Sequence, residues 1–178
     1  MRILLINPGL LDDQGRHFLV SREIWFGLTL PHLAGLIPSR HQIKIVDDGV
    51  EIIDFTADVD VVMLTAMHSR AERAYQIADE FRARGKRVVM GGLHVSQFPE
   101  EALQHVDAVA VGEAEGLIEE LIGDLESGRL KPSYRAEVFP ELFGPMNTTG
   151  FPSSISTWPN LLKLRMMSLV NIRFLPFH

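Results

Sequence analysis

Short apolar runs alternate along most of the chain with segments whose apolar residues recur at helical spacing. Five of these runs have the length and composition of β-strands: Arg2–Asn7, Gln42–Asp47, Val59–Thr65, Arg87–Gly91 and Ala108–Val111. The third run is apolar at consecutive positions, as is typical of a strand covered by helices on both faces. The alternation predicts an α/β fold with a doubly wound, five-stranded parallel sheet.

The segments between the strands have recognisable helix starts and ends. Ser69 and Glu72 have the spacing of a capping box, and apolar residues then recur at helical intervals as far as Phe81, with Gly85 as the stop. The same criteria predict three more helices: Leu117–Leu125 ended by Gly128, Leu30–Ser39 opened by Pro31 unless it begins near Ile24, and the short Pro99–Gln104.

The pattern changes after Leu130. Prolines recur there and no period persists outside Asn160–Leu169; the prolines are Pro132, Pro140, Pro145, Pro152, Pro159 and Pro176. A segment of this composition is typical of an extended strap or linker. We therefore predict an α/β domain over residues 1–134 and an irregular, Pro-rich extension over residues 135–178.

Composition removes several classes of function. The formal charge of −6 argues against a nucleic-acid binder and against a role at anionic membrane surfaces. The 178 residues include no cysteine, which excludes disulfides, cysteine nucleophiles and Cys-ligated iron–sulfur clusters. The apolar run Ile3–Ile6 is too short for a signal-peptide core, and no segment approaches about 18 apolar residues in a row. We expect a cytoplasmic protein without a membrane span.

Ligands of open parallel sheets bind at the carboxyl ends of the strands, so the residues that end or follow the strands are the candidate site. These residues are Asn7, Thr65, Ala66, Gly91, Gly92, His94, Gly112 and Glu113. Each also has a structural interpretation: glycine serves ordinary turns, His94 could stabilise a loop, and Glu113 suits the start of a helix.

Three common ligands of this architecture are excluded by their motifs. A dinucleotide site needs Gly-x-Gly-x-x-Gly after the first strand, where this chain has Asn7-Pro8-Gly9-Leu10-Leu11. No Gly-Lys-Ser/Thr of a P-loop occurs. A phosphoacceptor receiver needs an Asp at the end of the third strand and a Lys after the fifth, where Thr65 and Gly112-Glu113 stand. No nucleophile–base pair is recognisable, so no catalytic residue is predicted.

A series of ordered motifs carries a family resemblance: Arg73–Gly85, Val88–His94 with its Gly-Gly, Pro99–Ala102, and Asp107–Glu115. Together with Ile3–Pro8 and Leu30–Ala34, they resemble the cobalamin (B12)-binding domain that precedes the radical SAM barrel in many bacterial enzymes. The likeness covers Met1 to Tyr134. It implies a flavodoxin-like sheet of the cobalamin-binding type.

The resemblance also implies a ligand position. In that family the corrin lies across the carboxyl edge of the sheet, and the nucleotide tail points between strands and helices. Carried over by position, the contacts are Thr65 with the following loop, Gly91, Gly92, His94, Gly112 and Glu113. Full-length relatives are methyltransferases or cyclases whose barrel, in the same chain, carries S-adenosylmethionine and a [4Fe–4S] cluster. This chain is then a cobalamin-binding module that is not catalytic alone.

Two departures from the family accompany this resemblance. The Asp-x-His-x-x-Gly motif that supplies a lower cobalt ligand is absent, and the nearest histidine after the first strand is His17. The segment Ser168–His178 aligns with the start of a radical SAM cluster loop, with Leu175 at the position of its first cysteine. Two alternatives stay open: a ligand-free scaffold that dimerises through the apolar tail Leu161–Phe177, and a flavin- or nucleotide-binding enzyme.

Overall fold

Six parallel strands form the central sheet of the computed structural model, which describes residues 1–20 and 27–136. These residues belong to one compact unit, Met1–Glu137. The strands are β1 (Arg2–Asn7), β2 (Gln42–Asp47), β3 (Val61–Thr65), β4 (Arg87–Gly91), β5 (Ala108–Val111) and β6 (Ser133–Arg135). All five predicted strands are confirmed, although the third begins at Val61 and not at Val59. The predicted strand number of five was wrong.

The strand order is β2-β1-β3-β4-β5-β6, which is the doubly wound, flavodoxin-like arrangement. Leu5 on β1 lies opposite Ile45 on β2 and Met63 on β3. The chain therefore runs outward from β1 in one direction and then returns to build the sheet in the other. This reversal places a topological switch point between β1 and β3.

Helices cover both faces of the sheet, as the consecutive apolar positions in the strands predict. The helices are α1 (Thr29–Leu36), α2 (Ala71–Ala83), α3 (Leu93–Gln97), α4 (Pro99–Ala102) and α5 (Ile118–Ser127). Leu30 of α1 and Leu121 of α5 share one apolar core with Leu5 and Met63. Residues of α2, α3 and α4 pack into a second core on the opposite face, among them Phe81, Val95 and Ala102.

Local details of the helices differ from the sequence predictions. The capping box was wrong: Ser69 lies in a 3₁₀ turn, His68–Arg70, and no side chain caps the start of α2. Helix α1 ends at Leu36, ahead of the predicted Ser39, and α4 ends at Ala102. The alternative start near Ile24 lies outside the described residues. Gly128, with φ of +69°, ends α5 as predicted.

Two elements have no clear signal in the sequence. Helix α3 occupies a stretch interpreted as a loop, because five residues are too few to show a helical period. Strand β6 was not predicted; it spans the predicted boundary between the α/β domain and the extension and pairs with β5, placing Tyr134 opposite Ala110. Pairing with a neighbouring strand, and not local propensity, defines such a short edge strand. In the part of the chain that is described, no helix is long and apolar enough to cross a membrane.

Candidate functional site

A cavity of about 570 Å³ opens at the carboxyl ends of β3, β4 and β5. It lies between the sheet and helices α1 and α5. Its floor is formed by buried apolar side chains: Met63, Val89, Leu117, Ile118 and Leu121. Small-molecule sites have volumes of about 300–1,000 Å³ and are largely apolar. This cavity is therefore the candidate ligand site.

Gly92 lies where the loops after β3 and β4 come closest together. Its φ of +100° and ψ of −178° are suited to glycine, and an added Cβ would lie 2.8 Å from the Ala66 carbonyl oxygen and 2.9 Å from Thr65 Oγ1. The Ala66 N–H donates to the Gly91 oxygen and the His94 N–H donates to the Ala66 oxygen, both at 3.1 Å. These contacts make the two loops one continuous wall at the sheet edge.

Ser96 connects the third loop, after β5, to this wall. The Gly112 N–H donates to Ser96 Oγ at 3.1 Å, and the Ser96 hydroxyl donates to the Gly92 oxygen at 3.1 Å. Gly112 has φ of +94°, and a Cβ there would lie 3.2 Å from Ala136 Cβ. Sequence reasoning missed Ser96, because its role depends on helix α3, which the pattern did not reveal.

A side-chain contact between a histidine and a glutamate bridges the mouth of the cavity. His32 Nε2 on α1 lies 2.7 Å from Glu115 Oε1, which follows β5. Glu113 is exposed on the same side of the mouth. Polar and charged groups therefore surround the opening, while the floor is apolar.

Exposed apolar side chains also lie at this edge. Leu28 is 77% exposed, Met67 is 60% exposed and Leu93 is 54% exposed. Leu28 and Leu93 line the cavity, and Met67 follows two residues after Thr65, which lines it too. We call Leu28, Met67 and Leu93 the apolar rim. Apolar surface that is left exposed in a group marks a binding surface.

The structure brings together five of the eight predicted site residues. Those that line the cavity are Thr65, Gly91, Gly92, Gly112 and Glu113. The other three, Asn7, Ala66 and His94, are not among the lining residues. Ala66 is buried and contributes the backbone contacts to Gly91 and His94. The Asn7 amide donates to Asp47 Oδ2 at 3.1 Å, at the ends of β1 and β2.

The side chain of His94 is buried in a hydrogen-bonded network with α2. Tyr75 donates to Glu101 Oε1 at 3.0 Å, and its hydroxyl lies 2.8 Å from His94 Nε2. Burial, followed by the hydrogen bond to Glu101, raises the pKa of the Tyr75 hydroxyl, which therefore stays protonated. Because the hydroxyl proton goes to Glu101, His94 Nε2 is the donor to Tyr75. His94 Nδ1 lies 3.0 Å from His68 Nδ1, whose ring also contacts Gln97 Oε1 through Nε2 at 3.1 Å.

A buried carboxylate fills the space at the ends of β1 and β2. Asp48 is fully buried and accepts two hydrogen bonds from Arg73, at 2.8 and 2.9 Å, and one from the Gly9 N–H at 2.9 Å. His17 Nε2 lies 3.3 Å from the same carboxylate. A bidentate Arg pair with a backbone donor satisfies such a buried charge. From the sequence, Asp47-Asp48 could be turn residues or contact a ribose hydroxyl; the pairing of Asp48 with Arg73 could not be predicted, because Arg73 lies 25 positions away.

The described residues contain no group of three or more His, Asp or Glu side chains arranged to hold a metal ion. The histidines at this edge instead form contacts within the protein, as His32, His68 and His94 show. The site itself combines an apolar floor, a polar mouth and an apolar rim.

Comparison with known proteins agrees with this geometry. The B12 binding domain family matches residues 24–122. Bacteriochlorophyllide d C-8(2)-methyltransferase of Chlorobaculum tepidum is 46% identical over 116 residues, which cover 65% of this chain and 26% of that protein. The C-12(1)-methyltransferase of the same organism is 40% identical over 135 residues, covering 75% of this chain and 29% of that protein.

An uncharacterized methyltransferase of Pyrococcus horikoshii is 34% identical over 115 residues, covering 57% of this chain and 25% of that protein. The chain thus spans between a quarter and a third of the length of these relatives. No solved structure matches it significantly. The family match extends over more than half of the chain and includes every loop that lines the cavity. The chain belongs to the B12 binding domain family.

Proposed function

We propose that this domain holds cobalamin at the carboxyl edge of its sheet, with the corrin over the apolar rim and the nucleotide tail in the cavity. The proposed direct contacts are Thr65, Gly91, Gly92, Gly112 and Glu113. Ala66 and His94 contribute by holding the loops behind this surface, whereas Asn7 lies apart from it, at the ends of β1 and β2. The observation that carries the proposal is the cavity with a buried apolar floor, which opens beside exposed apolar side chains.

The residues present fit such a ligand. The apolar floor suits a planar aromatic base, and the apolar rim suits the face of a macrocycle. The exposed carboxylate of Glu113 at the mouth is an acceptor for the amide N–H groups of a corrin. Among the described residues the Thr65 hydroxyl has no hydrogen-bond partner, which leaves it available to a ligand.

The buried Asp48–Arg73 pair supports this placement of the ligand. The pair occupies the space at the carboxyl ends of β1 and β2, and Asp48 accepts a hydrogen bond from the Gly9 N–H after β1. A ligand at the switch point would have to break an ion pair whose carboxylate is fully buried, at a cost of about 3–5 kcal/mol. The open cavity at β3, β4 and β5 presents no such barrier.

We propose further that the domain serves a longer methyltransferase, because the named relatives are methyltransferases of bacteriochlorophyllide d. Bound cobalamin would supply the methyl-transfer chemistry, and this domain would bind and orient it. A radical SAM barrel carrying S-adenosylmethionine and a [4Fe–4S] cluster would follow in the same chain, with residues 135–178 as the connecting strap. The cytoplasmic location and the homodimer stay predictions, and the apolar tail proposed to drive dimerisation lies outside the described residues.

Gel filtration after incubation with hydroxocobalamin tests the binding. The protein should co-elute with the red chromophore. Ala110 lines the cavity, so Ala110→Leu should fill it and release the chromophore. Ala57→Leu, which packs against the core on the other face, is the matched control and should retain it. Colourless wild-type protein would favour the ligand-free scaffold, and full retention by Ala110→Leu would place the ligand elsewhere.

A further inference from the structure

The cavity has a steep gradient of polarity with depth. The polar side chains Thr29, His32, Glu113 and Glu115 are exposed at its mouth. The floor contains only buried apolar side chains: Met63, Val89, Leu117, Ile118 and Leu121. A flat group that enters fully therefore leaves every charged side chain of the lining behind at the mouth.

Two polar side chains, Thr65 and Ser96, lie between the mouth and the floor. The Ser96 hydroxyl is already engaged, because it donates to the Gly92 oxygen and accepts from the Gly112 N–H. The strand backbones in the floor pair with each other, for instance Met63 with Val89. Below the exposed mouth, Thr65 is thus the side chain of the described lining with an uncommitted hydroxyl donor, since the Ser96 donor is used by the Gly92 oxygen and Ser96 keeps only an acceptor lone pair.

If cobalamin binds as proposed above, the base of its nucleotide tail is the group that enters this gradient. We infer that the cavity floor is a specificity determinant that accepts cobamides with an alkylated benzimidazole base and rejects those with a purine base. A purine carries several ring nitrogens and, in adenine, an exocyclic amine. Burying one such group without a partner lowers affinity by about tenfold or more. The methyl groups of dimethylbenzimidazole instead gain from apolar contact.

Affinities for three corrinoids test the inference: cobalamin, its adeninyl analogue and cobinamide, which lacks the nucleotide. Equilibrium dialysis followed by visible absorbance gives each dissociation constant. We expect cobalamin to bind about tenfold or more tightly than the adeninyl cobamide, and more tightly than cobinamide. Equal affinities within about twofold, or a preference for adenine, would overturn the inference and leave cobalamin binding intact. If none of the three binds, the proposed function itself fails.

A pair of neighbouring strand residues provides a matched variant and control. Val89 lies in the cavity floor, whereas Val88 is buried in the core on the opposite face of β4. Val89→Thr adds a hydroxyl to the floor at nearly constant shape, so it should narrow the preference for cobalamin over the adeninyl cobamide. Val88→Thr adds the same hydroxyl to the core on the opposite face and should leave the ratio of the two dissociation constants, adeninyl cobamide to cobalamin, unchanged. An unchanged ratio in both variants would contradict a role for the floor, and the wild-type ratio decides the inference if either variant unfolds.

Discussion

Replacing Gly92 by alanine should damage both stability and the shape of the cavity. The φ of +100° with a ψ of −178° lies in a region essentially restricted to glycine, where another residue costs about 1–3 kcal/mol. The added Cβ would also lie 2.8 and 2.9 Å from the Ala66 backbone and 2.9 Å from Thr65 Oγ1. Because the Ala66 backbone is held by Gly91 and His94, relief of this overlap costs about another 1–3 kcal/mol. We expect a total loss of about 3 kcal/mol or more.

Gly85→Ala separates strain from overlap. Gly85 also has positive φ, +72°, but a Cβ there would meet nothing within 4 Å. The loss should therefore be only the left-handed strain, about 1–2 kcal/mol. Urea unfolding followed by circular dichroism measures both variants. If the two variants differ by about 2 kcal/mol in free energy of unfolding, their unfolding midpoints should differ by about 1 M urea, for a typical slope of about 2 kcal/mol per M. Equal midpoints for the two variants would refute the idea that close packing of the loops requires Gly92.

Three further changes test the stability argument. Arg73→Met should lower the free energy of unfolding, measured in urea, by about 3–5 kcal/mol, because it leaves Asp48 buried without its partner. Adding Asp48→Asn should recover part of this loss. If the losses of the two single variants simply add in the double variant, the pairing is contradicted. Burial lowers the pKa of His41 from its ordinary value of 6.5, so the unfolded chain binds the proton more tightly. The free energy of unfolding should then fall as pH drops below about 6.5, and His41→Gln should flatten this dependence above the carboxylate range. Phe81→Ala should cost about 3–5 kcal/mol, and a loss below about 1 kcal/mol would show that the α2 core tolerates the cavity.

The position of the candidate site on the sheet follows from two local arrangements. At β1 and β2 the buried Asp48–Arg73 pair occupies the edge and fixes Gly9. At β3, β4 and β5 the strands end in loops, two of which contain glycine, and these loops are held together by backbone hydrogen bonds and Ser96. The same edge of one sheet is therefore closed at one end and open at the other.

The pattern of apolar and polar residues is enough to predict the fold class and five of the six strands of the central sheet. Runs such as Val61–Leu64 are apolar at consecutive positions because both faces of the sheet are covered, and this property is local enough to be visible in the chain. The loops at the carboxyl ends could also be identified from the sequence, because the carboxyl ends of parallel strands lie at a common edge of the sheet. Five of the eight residues predicted there do line one cavity. The ordered motifs around Gly91-Gly92 indicate the family from the sequence alone, and the family match confirms it.

Contacts between segments that are distant in the chain set which polar groups face the cavity and which face the rest of the protein. His94 follows a Gly-Gly turn, yet its ring is directed to Tyr75, because α3 turns it toward α2. Asp48 looks like a turn residue until Arg73, distant in the chain, is placed beside it. The depth of the cavity depends on α1 and α5 packing on the same face of the sheet, which no local pattern encodes. Periodicity reports whether a residue is buried, whereas the partner of a buried polar group is set by contacts between segments far apart in the chain.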